Sequence, residues 1–338
     1  MSPSAVAQKG FFVLDALIIL RAVHFGASIL VAGTLLFSAV VAEPIWQRSD
    51  WARPAWLRRY QRQIAGVATL ALAMAILSGV GHLVAIAAAV SEEPWAHVIR
   101  DGTAWAFFTD THFGRIAQLR LLLAAGLALL LLQWAFQPRL APRWLRKLAA
   151  VLAAVFLGSL ALTGHAAGAT GVGANVHLGA DLAHVFAAGA WLGGLLPLAL
   201  FVWHVSQSAD GSSVAICARI LRRFSSLGVA CVAILFVTGV INTWYLTERL
   251  SGLLGTEYGK LVLIKIGLFL AMLGLAVLNR FWLTKGIIDV HRSAPGPKVQ
   301  EALLWLRVTM AAEIALGLAV LYLVGLLGMT APAGHHHL

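Results

Sequence analysis

Eight stretches of this chain are each long and apolar enough to cross a lipid bilayer, and that limits what it can fold into. They lie near residues 12–41, 64–90, 116–136, 148–165, 177–203, 224–246, 260–283 and 303–328. A helix of about 20 apolar residues spans the hydrocarbon. There every backbone N–H and C=O must be bonded within the segment, which favours helices. The spacing therefore predicts an all-α, polytopic membrane bundle of eight transmembrane helices. Hydrophobic residues fill 60% of the 338 positions and charged residues only 12%, far from a soluble domain. The first stretch lacks a short basic leader and a small-residue cleavage site, so it reads as a retained helix, not a signal peptide.

The net charge of +11 would suggest nucleic acid if it were spread at random. It is not. With the N-terminus outside, the inner loops hold Arg48, Arg53, Arg58, Arg59, Arg62, Arg139, Arg143, Arg146, Lys147, Arg219, Arg222, Arg223, Lys285, Arg292 and Lys298. The outer segments hold only Lys9, Arg100, Arg115, Arg249 and Lys260. That bias places both termini on the outer side and makes the basic charge a matter of topology. Cys217 and Cys231 are about 21 Å apart on one helix, beyond disulfide reach. No Walker loop, dinucleotide fingerprint or nucleophile elbow is present, so the chain reads as neither an enzyme nor an ATP-driven pump.

The chain also repeats itself. Thr111-His-Phe-Gly-Arg-Ile-Ala-Gln-Leu-Arg120 matches Thr256-Glu-Tyr-Gly-Lys-Leu-Val-Leu-Ile-Lys265, at the starts of spans three and seven. Trp144-Leu-Arg146 matches Trp305-Leu-Arg307, and His24 with Gly33 matches His184 with Gly193. Ser78-Gly-Val-Gly-His82 loosely matches Thr238-Gly-Val-Ile-Asn242. Four helices per half is an even number, so this predicts two parallel four-helix repeats about an axis along the membrane normal. One division of the chain is 1–147, the first three helices of repeat one with the inner loop. The remainder, 148–338, is the fourth helix of repeat one plus repeat two, all in a single integral membrane unit.

Ionisable side chains in hydrocarbon normally mark a site or a pathway. His177, Asp181 and His184 occupy i, i+4 and i+7 and so share about 60° of one helix face. Direction along each span puts His165, His82, His24 and these three in the outer half of the bundle. His24 and His184 are repeat-equivalent and could face each other across the axis. His177 and Asp181 have no counterpart in the first half. Imidazole with carboxylate suits copper, zinc, iron or nickel, copper standing highest in the divalent affinity order.

Other polar groups have quieter readings. Arg120 and Lys265 are placed to snorkel. Glu313 needs a partner from another helix, as a structural ion pair or as a proton or cation step. Met310 shares its face and would serve as an inner relay, or simply pack. Asn242 would be a hydrogen bonder behind the ligands, and Trp191 a floor to the site or a packing residue. The His335-His-His337 tail could capture metal loosely or have no role.

These residues resemble the copper-resistance D (CopD) family of bacterial inner-membrane proteins. The likeness is carried by Thr163-Gly-His-Ala166, the His177…Asp181…His184 helix with Gly-Ala-Trp-Leu-Gly-Gly194, and Arg223-Phe-Ser225. Tyr258-Gly-Lys260, Lys265, Asn279-Arg280, Leu306-Arg307 and Glu313 continue it. It covers about 150–330 well and 12–150 more loosely. The resemblance implies copper movement from periplasm towards cytoplasm, with His165, His177, Asp181 and His184 as its metal-site positions. It further implies a separate periplasmic copper-binding partner of the CopC type, while nucleic acid is not a partner and a homo-oligomer stays open. Two alternatives remain. Paired histidines on neighbouring helices also hold b-type haem in electron-transfer membrane proteins, although Asn242 stands where a counterpart of His82 would be needed. A non-transporting copper sensor or receptor is the other.

Overall fold

The computed structural model describes residues 3–46, 55–136, 143–163, 172–208, 211–247, 250–291 and 297–330. Among them all regular structure is helical. Helix α1 (Pro3–Leu36) passes through a π-helical turn at Phe37–Ala42 into α2 (Glu43–Trp46). Helix α3 (Ala55–Ser91) returns, and the short α4 (Trp95–Arg100) and α5 (Thr103–Asp110) lead to α6 (His112–Phe136) and α7 (Arg143–Gly158). The second half runs α8 (Val172–Ser208), α9 (Gly211–Thr247), the short α10 (Leu250–Gly255) and α11 (Glu257–Leu278). A second π-helical turn at Asn279–Leu283 joins α12 (Thr284–His291), and α13 (Pro297–Leu327) closes the bundle.

The eight expected spans are all present, as Asp15–Trp46, Trp56–Ser91, His112–Trp134, Trp144–Thr163, Gly173–Ser208, Gly211–Thr247, Glu257–Ile287 and Pro297–Leu327. The second and sixth begin well before the apolar windows that reveal them. Their first turns are amphipathic, so the helix continues where hydrophobicity alone stops. Arg58, Arg59 and Arg62 are exposed on α3 while Leu57, Tyr60 and Ile64 are buried. Likewise Arg219, Arg222 and Arg223 are exposed on α9 while Ile216, Cys217 and Ile220 are buried. These arginines gather where α3, α7, α9 and α13 begin, here called the arginine end; the histidines of interest lie towards the opposite, histidine end. Arg48, Arg53, Arg139, Arg249 and Arg292 lie outside the described residues.

Helices α1 and α8 form the centre. Helix α1 packs on α3, α7 and α13, and α8 packs on α9, α13 and α7. The two cross at Gly33 and Gly193, where a Cβ on either residue would fall on the partner helix's backbone. Only glycine permits that approach, and close backbone contact is the usual packing device between membrane helices. The crossing residues are repeat-equivalent, so the pseudo-axis passes between them. Repeat-equivalent caps reinforce the same relation. Thr111 Oγ1 accepts from Gly114 N–H at 2.9 Å and Thr256 Oγ1 from Gly259 N–H at 3.0 Å. Each hydroxyl then donates to the preceding short helix, Thr111 to Phe107 O and Thr256 to Gly252 O, both at 2.6 Å.

Candidate metal-binding site

His24 on α1 and His184 on α8 stand equally far from their crossing glycines, and each ring is tied to the second span of its own half. His24 Nδ1 lies 2.8 Å from the Ala75 carbonyl oxygen and 3.4 Å from Ser78 Oγ. His184 Nδ1 lies 2.9 Å from Thr238 Oγ1. Ser78 and Thr238 are repeat-equivalent, and both commit their own proton along the helix: Ser78 donates to Met74 O and Thr238 to Ile234 O, each at 2.6 Å. A carbonyl oxygen, or a hydroxyl that already donates elsewhere, can only accept. Donor accounting therefore assigns the proton of both rings to Nδ1 and a free lone pair to Nε2. Metal-ligating histidines are commonly held this way, one nitrogen bonded to protein and the other presented to the ion. Glycines give the rings space. A Cβ on Gly79 would stand 2.8 Å from His24 Cε1, and one on its equivalent Gly239 would stand 4.0 Å from His184 Cε1.

The second half adds three groups. His177 is buried and stacks on Tyr245, with ring centroids 5.1 Å apart and planes 7° from parallel. Among the described residues, its buried Nε2 has no hydrogen-bond partner. Asp181 accepts from Asn242 Nδ2 at 2.6 Å. The Lys265 ammonium lies within electrostatic reach of both Asp181 and His184. In the first half, His82 packs edge-on to Phe113 at 6.0 Å, and among the described residues its buried Nδ1 also lacks a partner. The His24 ring lies within electrostatic reach of Arg120, His82 and Arg21, and His82 within that of Arg21. An unmade bond on a buried nitrogen costs about 1–3 kcal/mol, which an incoming ligand or ion can offset.

These groups do not form a finished cage. Among the described residues, no three His, Cys, Asp or Glu side chains converge on one ion-sized point. The Nδ1 atoms of His24 and His184 are bonded to separate helices, α3 and α9, each within its own half. His165 and the His335–His337 tail lie outside the described residues. Trp191, Met310 and Glu313 stand elsewhere, around a cavity of about 260 Å³ between α8, α9, α11 and α13. Among the described residues Glu313 has no ion-pair partner; it accepts from Asn279 Nδ2 at 2.6 Å.

Arg120 departs from the snorkelling expectation. Its guanidinium stays inside, donating to Phe156 O at 2.7 Å, Ser159 Oγ at 2.6 Å and Ser28 Oγ at 2.9 Å. It also lies 4.2 Å from the Phe156 ring centroid. Three acceptors and a ring face replace water, so the side chain need not reach for the interface. Sequence reasoning missed the roles of Ser78 and Thr238, although their shared offset from the two histidines was visible. For Tyr245 there was no signal.

Fold and site together define a multi-pass helical membrane protein with nitrogen-rich, metal-type groups inside one half of its bundle. Profile comparison gives the family. The description "Copper resistance protein D" matches residues 218–327, and "Copper resistance protein D-like, N-terminal domain" matches residues 13–176. The chain is 32% identical to copper resistance protein D of Pseudomonas syringae pv. tomato, over 66% of this chain and 70% of that one. It is 30% identical to inner membrane protein YebZ of Escherichia coli, over 93% of this chain and 98% of that protein. A third relative, copper transport protein CutJ of Bacillus subtilis, is 28% identical over 48% of this chain and 26% of its own length. The chain belongs to the copper resistance protein D family. No solved structure matches it, and nothing in the comparisons supports the haem alternative.

Proposed function

We propose that this protein carries copper across the bacterial inner membrane, from periplasm to cytoplasm, without catalysing a reaction. The histidine end faces the periplasm, with both termini on that side, and the arginine end faces the cytoplasm; the positive-inside bias supports this orientation. A periplasmic protein of the CopC type delivers the ion to His165 and His177. Asp181 and His184 take it next, and His24 and His82 contribute from the first half. Asn242 holds the Asp181 carboxylate in place, and Trp191, Met310 and Glu313 belong to the inner part of the route. All eight spans act as one unit.

One observation carries this reading: two repeat-equivalent histidines, each with Nδ1 bonded to protein and Nε2 left with a lone pair. The partnerless Nε2 of His177 and Nδ1 of His82 support it. The copper names of the relatives supply the ion. Because the described groups form no finished cage, the ion's arrival must draw them together or add His165. The test is copper uptake into proteoliposomes. Wild-type protein should load them, and His177→Ala with His184→Ala should reduce loading to that of empty liposomes. Uptake that survives the double substitution would refute the proposal.

A further inference from the structure

A half-open cavity of about 260 Å³ lies between α8, α9, α11 and α13 and is walled mainly by apolar side chains, including Leu195, Val232 and Leu306. Its polar features are few. Glu313 is 1% exposed and lines it, with Oε1 held by Asn279. Thr309 fixes Asn279 in turn, donating to its Oδ1. Among the described residues, no lysine, arginine or histidine forms an ion pair with this carboxylate. Arg280 also lines the cavity, but it is an exposed residue and its Nη1 donates to Ser225 Oγ at 2.6 Å. The π-helical turn at Asn279–Leu283 places Asn279 and Arg280 at this wall.

Two further residues give the chamber a chemical preference. Met310 is buried, lines the same cavity and lies one turn from Glu313 on the same helix face. Trp191 contributes the opposing wall from α8 and packs edge-on to Phe269. A thioether is a soft donor that selects Cu(I) over hard cations, and an indole face attracts a cation. One carboxylate neutralises one positive charge. A divalent ion would keep a net charge in apolar surroundings, where uncompensated charge is expensive.

We propose that this chamber is a second metal site, which takes a soft monovalent cation, Cu(I), on the Glu313 carboxylate and the Met310 thioether beside Trp191. The proposal rests on the copper-transport reading and supplies an inner station for it. It does not depend on the histidine-end ligands being correctly assigned.

Equilibrium dialysis of the purified full-length protein against Ag(I), a redox-inert stand-in for Cu(I), tests it. Three proteins are compared with wild type: Glu313→Gln, Met310→Leu, and His177→Ala combined with His184→Ala. Glutamine can still accept from Asn279, and leucine keeps the volume of Met310, so both variants should elute as monodisperse folded protein. Each should lose one equivalent of bound Ag(I) and keep the other. The histidine double variant should lose the opposite equivalent. Folded Glu313→Gln and Met310→Leu proteins that bind as much Ag(I) as wild type would overturn the inner site. Undiminished binding by the histidine variant alone would instead overturn the outer ligand assignment.

Discussion

Replacing Thr238 by valine removes the acceptor that sets the His184 proton while preserving side-chain shape. In the native protein the Thr238 hydroxyl donates to Ile234 O at 2.6 Å and accepts from His184 Nδ1 at 2.9 Å. In the variant the ring loses its orientation and the bias that leaves Nε2 free. Loss of such a supporting bond typically costs 10- to 100-fold in metal affinity, or about 1.4–2.8 kcal/mol. Serine at 238 restores the oxygen and should restore most of the affinity. The first half supplies a control. Ser78 lies 3.4 Å from His24 Nδ1, whereas the Ala75 carbonyl holds that nitrogen at 2.8 Å. Ser78→Ala should therefore change copper affinity by no more than about threefold, since the shorter bond survives. Competition against a chromophoric copper chelator measures the three variants beside wild type. Wild-type affinity in Thr238→Val, or equal losses in Thr238→Val and Ser78→Ala, would refute the reasoning.

Three other outcomes follow from the same geometry. Alanine at Gly33 or Gly193 puts a methyl group into the facing backbone and should cost about 1–3 kcal/mol, read as a lower thermal midpoint in detergent; an unchanged midpoint would mean that the crossing is looser than described. Arg120→Lys keeps the charge but cannot reproduce the forked contacts to Phe156 O, Ser159 and Ser28. It should lose about 2 kcal/mol or more, whereas wild-type stability would indicate a side chain that reaches the interface instead. Asn242→Leu removes the donor at 2.6 Å from Asp181 and should weaken copper binding with little change in protein yield; unaltered binding would leave Asp181 without a role at the site.

The architecture was largely legible because bilayer thickness fixes helix length and duplication leaves aligned landmarks. Gly33 and Gly193 could be paired from their shared offset, and the structure brings those two residues into contact. The helix starts were harder to read. The first turns of α3 and α9 alternate exposed arginine with buried Tyr60 or Ile220, and a window that averages hydropathy discounts such turns. Arg120 was misread because its acceptors are Ser28 on α1, Phe156 on α7 and Ser159 just beyond α7, far away in the chain. At the site, the residue types were visible but their partners were not. The grouping of His177, Asp181 and His184 follows from helix periodicity, whereas the tautomers of His24 and His184 depend on the Ala75 carbonyl and the Thr238 hydroxyl of neighbouring helices. The chamber beside Glu313 is a void left by packing, and no sequence pattern encodes a void. Met310 and Glu313 share a face in any α-helix, but only the fold sets Trp191 and Asn279 around them.

Copper K-edge X-ray absorption on the metal-loaded protein addresses ligation by the histidine end most directly. Wild-type protein should show nitrogen or oxygen neighbours with the outer-shell scattering of imidazole rings. In His184→Ala that imidazole signal should fall while the protein stays folded. An imidazole signal that is absent from wild type, or undiminished by the combined loss of His177 and His184, would contradict the account.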